Sequence, residues 1–352
     1  MSSIAKPPVF HPSARTNALG LRLRDYEGGM STLCAGCGHD SVTAALIQAA
    51  WELSISPEIA AKMSGIGCSA KTTAYFMKQS HGFNSVHGRM PSVTTGAAAA
   101  NRQLVCIGIS GDGDSLSIGL GQMCHAVRRN VNMLYVLENN GVYGLTKGQF
   151  SASADIGSTS RKGVPNQMAP IDPVLLALSL GATFVARSFS GDKQQLVPIL
   201  KAGITHRGLA LVDVISPCVT FNNHEGSTKS YAHTRTHEVE AVATDFVPLK
   251  HAIDIAPSNG AVIDVSMHDG SLLRLRPATA GYDPTDRAAA YAHVRACQAR
   301  GEIATGLLFV DEGSSQEMCD ELKLPAEPLH DLPFERLCPG SRALDELMER
   351  YR

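Results

Sequence analysis

The chain has 352 residues, 44% of them hydrophobic, and a formal charge of −2 at neutral pH. That length and apolar content can bury one large core with an appendage. Basic and acidic residues, 31 and 33, nearly balance and the basic ones are not clustered, which excludes a nucleic-acid or membrane-surface binder, and no apolar run is long enough to cross a bilayer. Nine cysteines, an odd number, with no N-terminal apolar signal segment, point to a reducing, cytoplasmic setting.

Residues 1–30 carry prolines, Ser2-Ser3 and scattered charge. They are expected to lie over the surface or a partner, with the globular pattern starting near Cys34. Cys34-Ala35-Gly36-Cys37-Gly38-His39 is a C-x-x-C loop, a spacing shared by zinc sites, redox disulfides and iron–sulfur clusters. A helix follows through Ala44, Ala45, Leu46, Ala49, Ala50, Trp51 and Leu53, with Asp40 or Ser41 as its expected cap. After a strand-like segment at 59–63, Ser64-Gly65-Ile66-Gly67-Cys68-Ser69 forms a glycine-rich turn of the kind that lets backbone approach a bulky ligand.

Residues 104–110 are a mostly apolar run ending at a glycine, as expected of a strand buried on both faces of a parallel sheet. The turn is Gly111-Asp112-Gly113-Asp114. Apolar positions at Leu116, Leu120, Met123 and Val127 then give a helix ending in Arg128 and Arg129, where the dipole favours positive charge. A second buried strand, 131–137, leads into Glu138-Asn139-Asn140-Gly141-Val142-Tyr143, with Asn140 standing 28 positions after Asp112.

Both polar clusters thus fall at the carboxyl ends of strands in one βαβ unit, where doubly wound sheets hold ligands. The pattern predicts a site for a magnesium diphosphate. The Asp112 carboxylate, the Asn140 amide oxygen and a backbone carbonyl near Val142 offer a hard cation three oxygen ligands. A dinucleotide-binding turn fits less well. Leu116 takes the place of its third glycine, and two aspartates would repel a bare pyrophosphate. Two unrelated turns would be the plainest reading of either dipeptide alone, but their matched strand ends argue against it.

Cys218 lies just past another buried run, 209–215, within Ser216-Pro217-Cys218-Val219-Thr220-Phe221-Asn222. Four cysteines at strand ends could converge, and their spacing suits iron and sulfide better than a compact zinc finger. Cys106 and Cys124 read as packing thiols on buried faces, and Cys297, Cys319 and Cys338 share no motif. After Thr228 the pattern changes. Residues 262–275 have the shape of a hairpin turning at Asp269-Gly270; a helix follows Pro284-Thr285-Asp286, then a strand at 304–311 and a last helix at 343–350. The expected division is an extension at 1–30, a binding domain at 31–230 and a C-terminal extension at 231–352 that packs on the core and a partner.

In order along the chain, the Cys-x-x-Cys loop, Gly65-Ile66-Gly67-Cys68-Ser69, His87-Gly88-Arg89 with Pro91 and Thr95-Gly96, Gly111 to Asp114, Tyr143-Gly144-Leu145-Thr146-Lys147-Gly148-Gln149 and the Cys218 segment resemble the β subunit of the 2-oxoacid:ferredoxin oxidoreductases. The likeness covers 33–221. Ala35 departs from the usual proline but leaves the cysteine spacing intact. The resemblance implies an α/β fold, a doubly wound, mostly parallel sheet of the thiamine diphosphate-binding type with a C-terminal extension. It implies a [4Fe-4S] cluster on Cys34, Cys37, Cys68 and Cys218, and Mg²⁺ on Asp112, Asn140 and the Val142 carbonyl. It further implies thiamine diphosphate lined by Ile66, Gly67, Cys68, Ser69, His87, Gly113, Asp114, Gly144 and Leu145.

A 2-oxoacid carboxylate calls for cations. Lys71 and Lys147, placed within these motifs, are the catalytic candidates, with Arg89 a further one for phosphate or carboxylate. The implied partners are an α subunit covering the cofactor from the other side and a ferredoxin, with CoA and a 2-oxoacid as substrates. Leu145-Thr146-Lys147-Gly148-Gln149 looks most like enzymes acting on 2-oxoglutarate, with pyruvate-type enzymes the near alternative. A non-oxidative thiamine decarboxylase and a non-catalytic, zinc-stapled assembly subunit are the remaining rivals.

Overall fold

The computed structural model describes residues 13–159, 163–248, 262–267, 269–277, 282–311, 313, 316–338 and 340–351. Residues 1–12 of the expected extension and His268 of the expected hairpin lie outside the described residues. Strands β1 (Ala60–Ser64), β2 (His81–Asn84), β3 (Val105–Gly111) and β4 (Met133–Asn139) come first, then a small ribbon of β5 (Val142–Tyr143) and β6 (Gln149–Phe150). After them come β7 (Phe184–Phe189), β8 (Leu209–Ile215), β9 (Glu238–Val247), β10 (Ile263–Ser266), β11 (Leu272–Pro277) and β12 (Ile303–Val310). The helices used below are α1 (Gly38–Glu52), α2 (Thr72–Tyr75), α3 (Met90–Ala100), α4 (Leu120–Arg128), α5 (Pro173–Ser179), α6 (Lys193–Thr205), α7 (Tyr231–His237) and α8 (Arg287–Ala299).

All strands except the ribbon join one ten-stranded sheet in the order β10-β11-β9-β12-β7-β8-β4-β3-β1-β2. From β2 to β7 every neighbouring pair is parallel. Strands β4, β7 and β8 are buried along their whole length, which is why the sequence there reads as continuous apolar runs rather than alternation. Their side chains, among them Tyr135, Phe184, Leu211 and Val212, form the middle of the core. Helix α1 packs on α6, and α3 packs on β3.

Three expectations shift. The C-terminal segment continues the sheet instead of standing beside it: β12 runs antiparallel to β7, with Gly306 opposite Arg187, and β9, β11 and β10 follow. Without β12 the edge of β7 would present unpaired N–H and C=O groups. The hairpin does turn at Asp269-Gly270, where Gly270 N–H donates to the Met267 carbonyl at 2.9 Å.

The globular fold also begins upstream of Cys34. Tyr26 is fully buried, donates to the Ile55 carbonyl at 2.7 Å and accepts from Asn17 at 2.9 Å. One aromatic among prolines and charges leaves no periodicity to read. Finally, α1 starts at Gly38 with Cys37 in the cap position, and Asp40 lies in its first turn. Gly38 N–H donates to the Pro217 carbonyl at 3.2 Å, so the cysteine loop feeds straight into the helix.

Candidate functional site

Sheet register builds the site. Gly111 of β3 pairs with Glu138 of β4, and Asn139 pairs with Ile215 of β8, so three strands end level on the same side. The loops after β1, β3, β4 and β8 therefore meet. A pocket forms there, lined by His39, residues 66–69, His87, residues 111–114, Asn140 and residues 142–146. It brings together Ile66, Gly67, Cys68, Ser69, His87, Gly113, Asp114, Gly144 and Leu145, all expected around the cofactor, with Asp112, Asn140 and Val142.

Asp112 is only 1% exposed. Its Oδ2 accepts from Gly141 N–H at 2.9 Å, from Ser153 Oγ at 2.6 Å and from Ser151 Oγ. These three bonds end on Oδ2, and the Asn140 backbone amide also favours the charged carboxylate. Burial pushes its carboxyl above the usual range, and the two serines and the backbone amide work against that. No ion pair reaches it among the described residues. A buried carboxylate without a cation, beside an amide oxygen and a backbone carbonyl, is a donor set that fits a hard divalent ion. Asn140 is fixed as well: its Oδ1 accepts from Val142 N–H at 3.0 Å, and its carbonyl accepts from Asn222 Nδ2 at 2.7 Å.

Asp114, in the pocket wall, also has a structural job. Oδ1 accepts from Gly88 N–H at 2.7 Å and Ile66 N–H at 3.3 Å, and Oδ2 accepts from Ser110 Oγ at 2.6 Å. It clamps the loops after β1 and β2 onto the end of β3. A Cβ at Gly65 would stand 1.8 Å from Asp114 Oδ2, so only glycine lets this clamp close. Gly113 is required in the same way, because a Cβ there would come within 2.4 Å of the Tyr143 ring. Between the turn and α4, residues Gly113–Ile118 form a π-helical turn, a form common at functional sites. Its first two residues, Gly113 and Asp114, line the pocket, and a helix start favours phosphate.

The four motif cysteines converge. A methyl group on Gly144 would lie 3.5 Å from Cys68 Sγ and 3.6 Å from Cys218 Sγ, and Thr220 Oγ1 donates to Cys34 Sγ at 3.2 Å. Cys68 lies within electrostatic reach of Cys218 and Cys34, and Cys37 of Cys218. Burial pushes Cys37 up to about 12 and raises Cys68 and Cys218, so the bare thiols stay protonated. Among the described residues no three metal-ligating side chains lie close enough to hold a single ion. A cubane, with iron at several corners, sets its four sulfurs farther apart than one ion does. All nine cysteines are free, Cys106 within the core.

The lysines stand apart from the pocket wall. Lys71 is half-buried in a short 3-10 turn, close enough to Cys68 for its charge to oppose part of the rise that burial causes in that thiol. Lys147 is exposed in the loop after β5 with φ at 77°. Arg89 is exposed at the cap of α3.

Sequence reasoning passed over several site residues. His39 is 1% exposed and lines the pocket; its Nδ1 lies 2.6 Å from Ser216 Oγ and 3.3 Å from Glu138 Oε2, and burial pulls it down to about 4. Glu138, fully buried, also accepts from Thr72 Oγ1 at 3.1 Å, and burial raises its carboxyl well above the usual range. A polar side chain closing an apolar strand was the available signal for Glu138. Ser151 and Ser153 gave none, since their role depends on where the ribbon returns.

Comparison with known proteins agrees with this geometry. Residues 65–214 match the family model for the thiamine pyrophosphate enzyme, C-terminal TPP binding domain. A 2-oxoacid:ferredoxin oxidoreductase subunit beta from Saccharolobus solfataricus is 41% identical over 208 residues, 59% of this chain and 68% of that one. The 2-oxoglutarate oxidoreductase subunit KorB from Mycobacterium tuberculosis is 40% identical over 191 residues, 54% of this chain and 51% of that one. Among solved structures, the 2-oxoglutarate:ferredoxin oxidoreductase from Magnetococcus marinus, with 2-oxoglutarate, coenzyme A and succinyl-CoA bound, superposes with a TM-score of 0.69. That match has 30% identity and covers 86% of this chain and 89% of that one.

Proposed function

Because the chain belongs to the β subunits of the 2-oxoacid:ferredoxin oxidoreductases, we propose that, with an α subunit, it oxidatively decarboxylates 2-oxoglutarate in the cytoplasm. CoA would take the acyl group as succinyl-CoA, and ferredoxin would take the electrons. The observation that carries the reading is the union, at one end of one sheet, of a cation-seeking buried carboxylate and four converging thiols. Thiamine diphosphate, when bound, supplies the electron sink for loss of CO₂. Asp112, Asn140 and the Val142 carbonyl hold its Mg²⁺, and the N–H groups that open the π-helical turn receive the diphosphate. Residues 66–69, His87, Gly144 and Leu145 shape the wall around it.

Cys34, Cys37, Cys68 and Cys218 hold a [4Fe-4S] cluster. Cys68 belongs to both sets, so a cluster held by these thiols would adjoin the cofactor pocket and would supply one-electron transfer there. Lys71 and Lys147 receive the substrate carboxylate from the mouth of the site. The likeness to the Magnetococcus marinus enzyme favours 2-oxoglutarate over pyruvate. The α subunit covers the open side of the pocket. Residues 231–352 meet it in part through the terminal helix Ser341–Glu349, whose Leu344, Leu347 and Met348 are exposed.

The test is anaerobic purification with and without the coexpressed α subunit. The expected protein is brown, with about four irons per chain. The pair should reduce ferredoxin with 2-oxoglutarate and CoA while the single chain does not. Lys71→Ala and Lys147→Ala should raise KM for the 2-oxoacid and leave cofactor content unchanged. A colourless protein with one zinc per chain, or full activity from the single chain, would sink the proposal.

A further inference from the structure

Cys34-Ala35-Gly36-Cys37 closes as a β-turn. The Cys37 N–H donates to the Cys34 carbonyl at 2.9 Å, and Gly36 has φ at 80°. A positive φ at the third position marks a type II turn, which asks for glycine there and suits proline at the second. Ala35 holds that second place, and its N–H makes no backbone hydrogen bond. Alanine does not fix φ as proline does, and glycine is the freest residue of all, so the turn's own residues hold the two thiols only loosely.

A side chain from the C-terminal segment supplies the constraint. Tyr231, the first residue of α7, donates through its hydroxyl to the Gly36 carbonyl at 3.1 Å. That carbonyl belongs to the planar peptide whose N–H is already on Cys34, so both edges of the plane that enters Cys37 are held. The next amide, Gly38 N–H, is on the Pro217 carbonyl beside Cys218. Tyr231 is itself braced. Its ring meets Phe189, 1% exposed, edge to face with centroids 5.7 Å apart, and the Arg235 guanidinium lies 5.5 Å over it. Ser230 caps α7, its hydroxyl accepting from His233 N–H at 3.2 Å. A hydrogen bond between partly exposed groups adds little to global stability, so the effect of this one is local.

We infer that Tyr231 is a positioning residue for the cysteine loop: its hydroxyl fixes the Gly36–Cys37 peptide and so holds Cys34 and Cys37 in the arrangement a cluster needs, the constraint that Ala35 does not give. The inference rests on the [4Fe-4S] role proposed above for these thiols. It also makes the start of the C-terminal segment part of the cluster's support.

The test is anaerobic release of iron from the purified complex with its α subunit to bathophenanthroline, followed by loss of the cluster's visible absorbance. Tyr231→Phe keeps the ring on Phe189 and removes the hydroxyl. It should release iron about tenfold faster, the lower end of what losing a partner that orients a metal ligand costs, with thiamine diphosphate content and melting temperature nearly unchanged. Ala35→Pro in that background supplies the constraint within the turn and should bring the rate back to within about twofold of the wild type. Ala35→Pro alone should change the rate little, because the tyrosine already holds the turn. A wild-type rate in Tyr231→Phe overturns the inference, as does a fast rate that Ala35→Pro leaves unchanged. Loss of iron by Ala35→Pro alone overturns it too, since a type II turn accepts proline at that place. A wild-type complex that holds no iron overturns the cluster reading, and this inference with it.

Discussion

The two halves of the sheet use the same hydrogen-bonding grammar to different ends. From β2 to β7 the strands are parallel, so each delivers its carboxyl end to one side, and the loops after β1, β3, β4 and β8 converge there. Beyond β7 the pairing is mixed: β12 is antiparallel to β7 and parallel to β9, and β11 is antiparallel to β9 and β10; among the described residues none after Thr146 lines the pocket. Parallel strands concentrate loops; antiparallel ones scatter them between two edges. The second half instead caps the exposed edge of β7, while Tyr231 donates to the Gly36 carbonyl in the cysteine loop and Gln298 donates to Asp172.

The comparison is broken most completely by Asp112→Asn. On the proposed magnesium role the cation would lose its charged protein ligand, so thiamine diphosphate binding should fall below detection by equilibrium dialysis, while circular dichroism stays native. Retained cofactor would refute the division of labour. Next in size is Cys218→Ser, which should remove iron and sulfide from the anaerobically purified protein although it is remote in sequence from the other three cysteines. Cys106→Ser, inside the core, should leave the iron content unchanged and lower the melting temperature slightly.

Leu273→Ala in β11 sharpens the contrast from the opposite side. Leu273 is fully buried, and its truncation should cost about 2–5 kcal/mol in denaturant unfolding. Cofactor affinity, measured below the transition, should not move. A matching loss of thiamine diphosphate affinity would mean that the two halves are energetically one site.

The sequence by itself determined the parallel half and most of the residues that line the pocket. Continuous apolar runs ending in Gly111 and Asn139 can only be strands buried on both faces, and a carboxylate and an amide at their ends can only point to one side of such a sheet. Motif cysteines Cys34, Cys37, Cys68 and Cys218 were legible because each stands at a strand end or in a glycine-rich turn. Tertiary structure alone decided what surrounds them. Asp114 became a clamp because the loop after β2 returns to it, and Ser151 and Ser153 reached Asp112 because the β5–β6 ribbon folds back.

His39 and Glu138 met because α1 begins inside the cysteine loop while β4 ends opposite it. The buried pair of Arg187 and Asp213 could not be read from two separate apolar runs. Tyr26 likewise docked from a segment with no periodicity, and the C-terminal strands joined the sheet because an open edge on β7 needed pairing. The physical reason is common to all of these. Periodicity and strand-end chemistry are local and survive in the linear order of residues, whereas a hydrogen bond between groups dozens or hundreds of positions apart exists only once sheet register has brought them within 3 Å of each other.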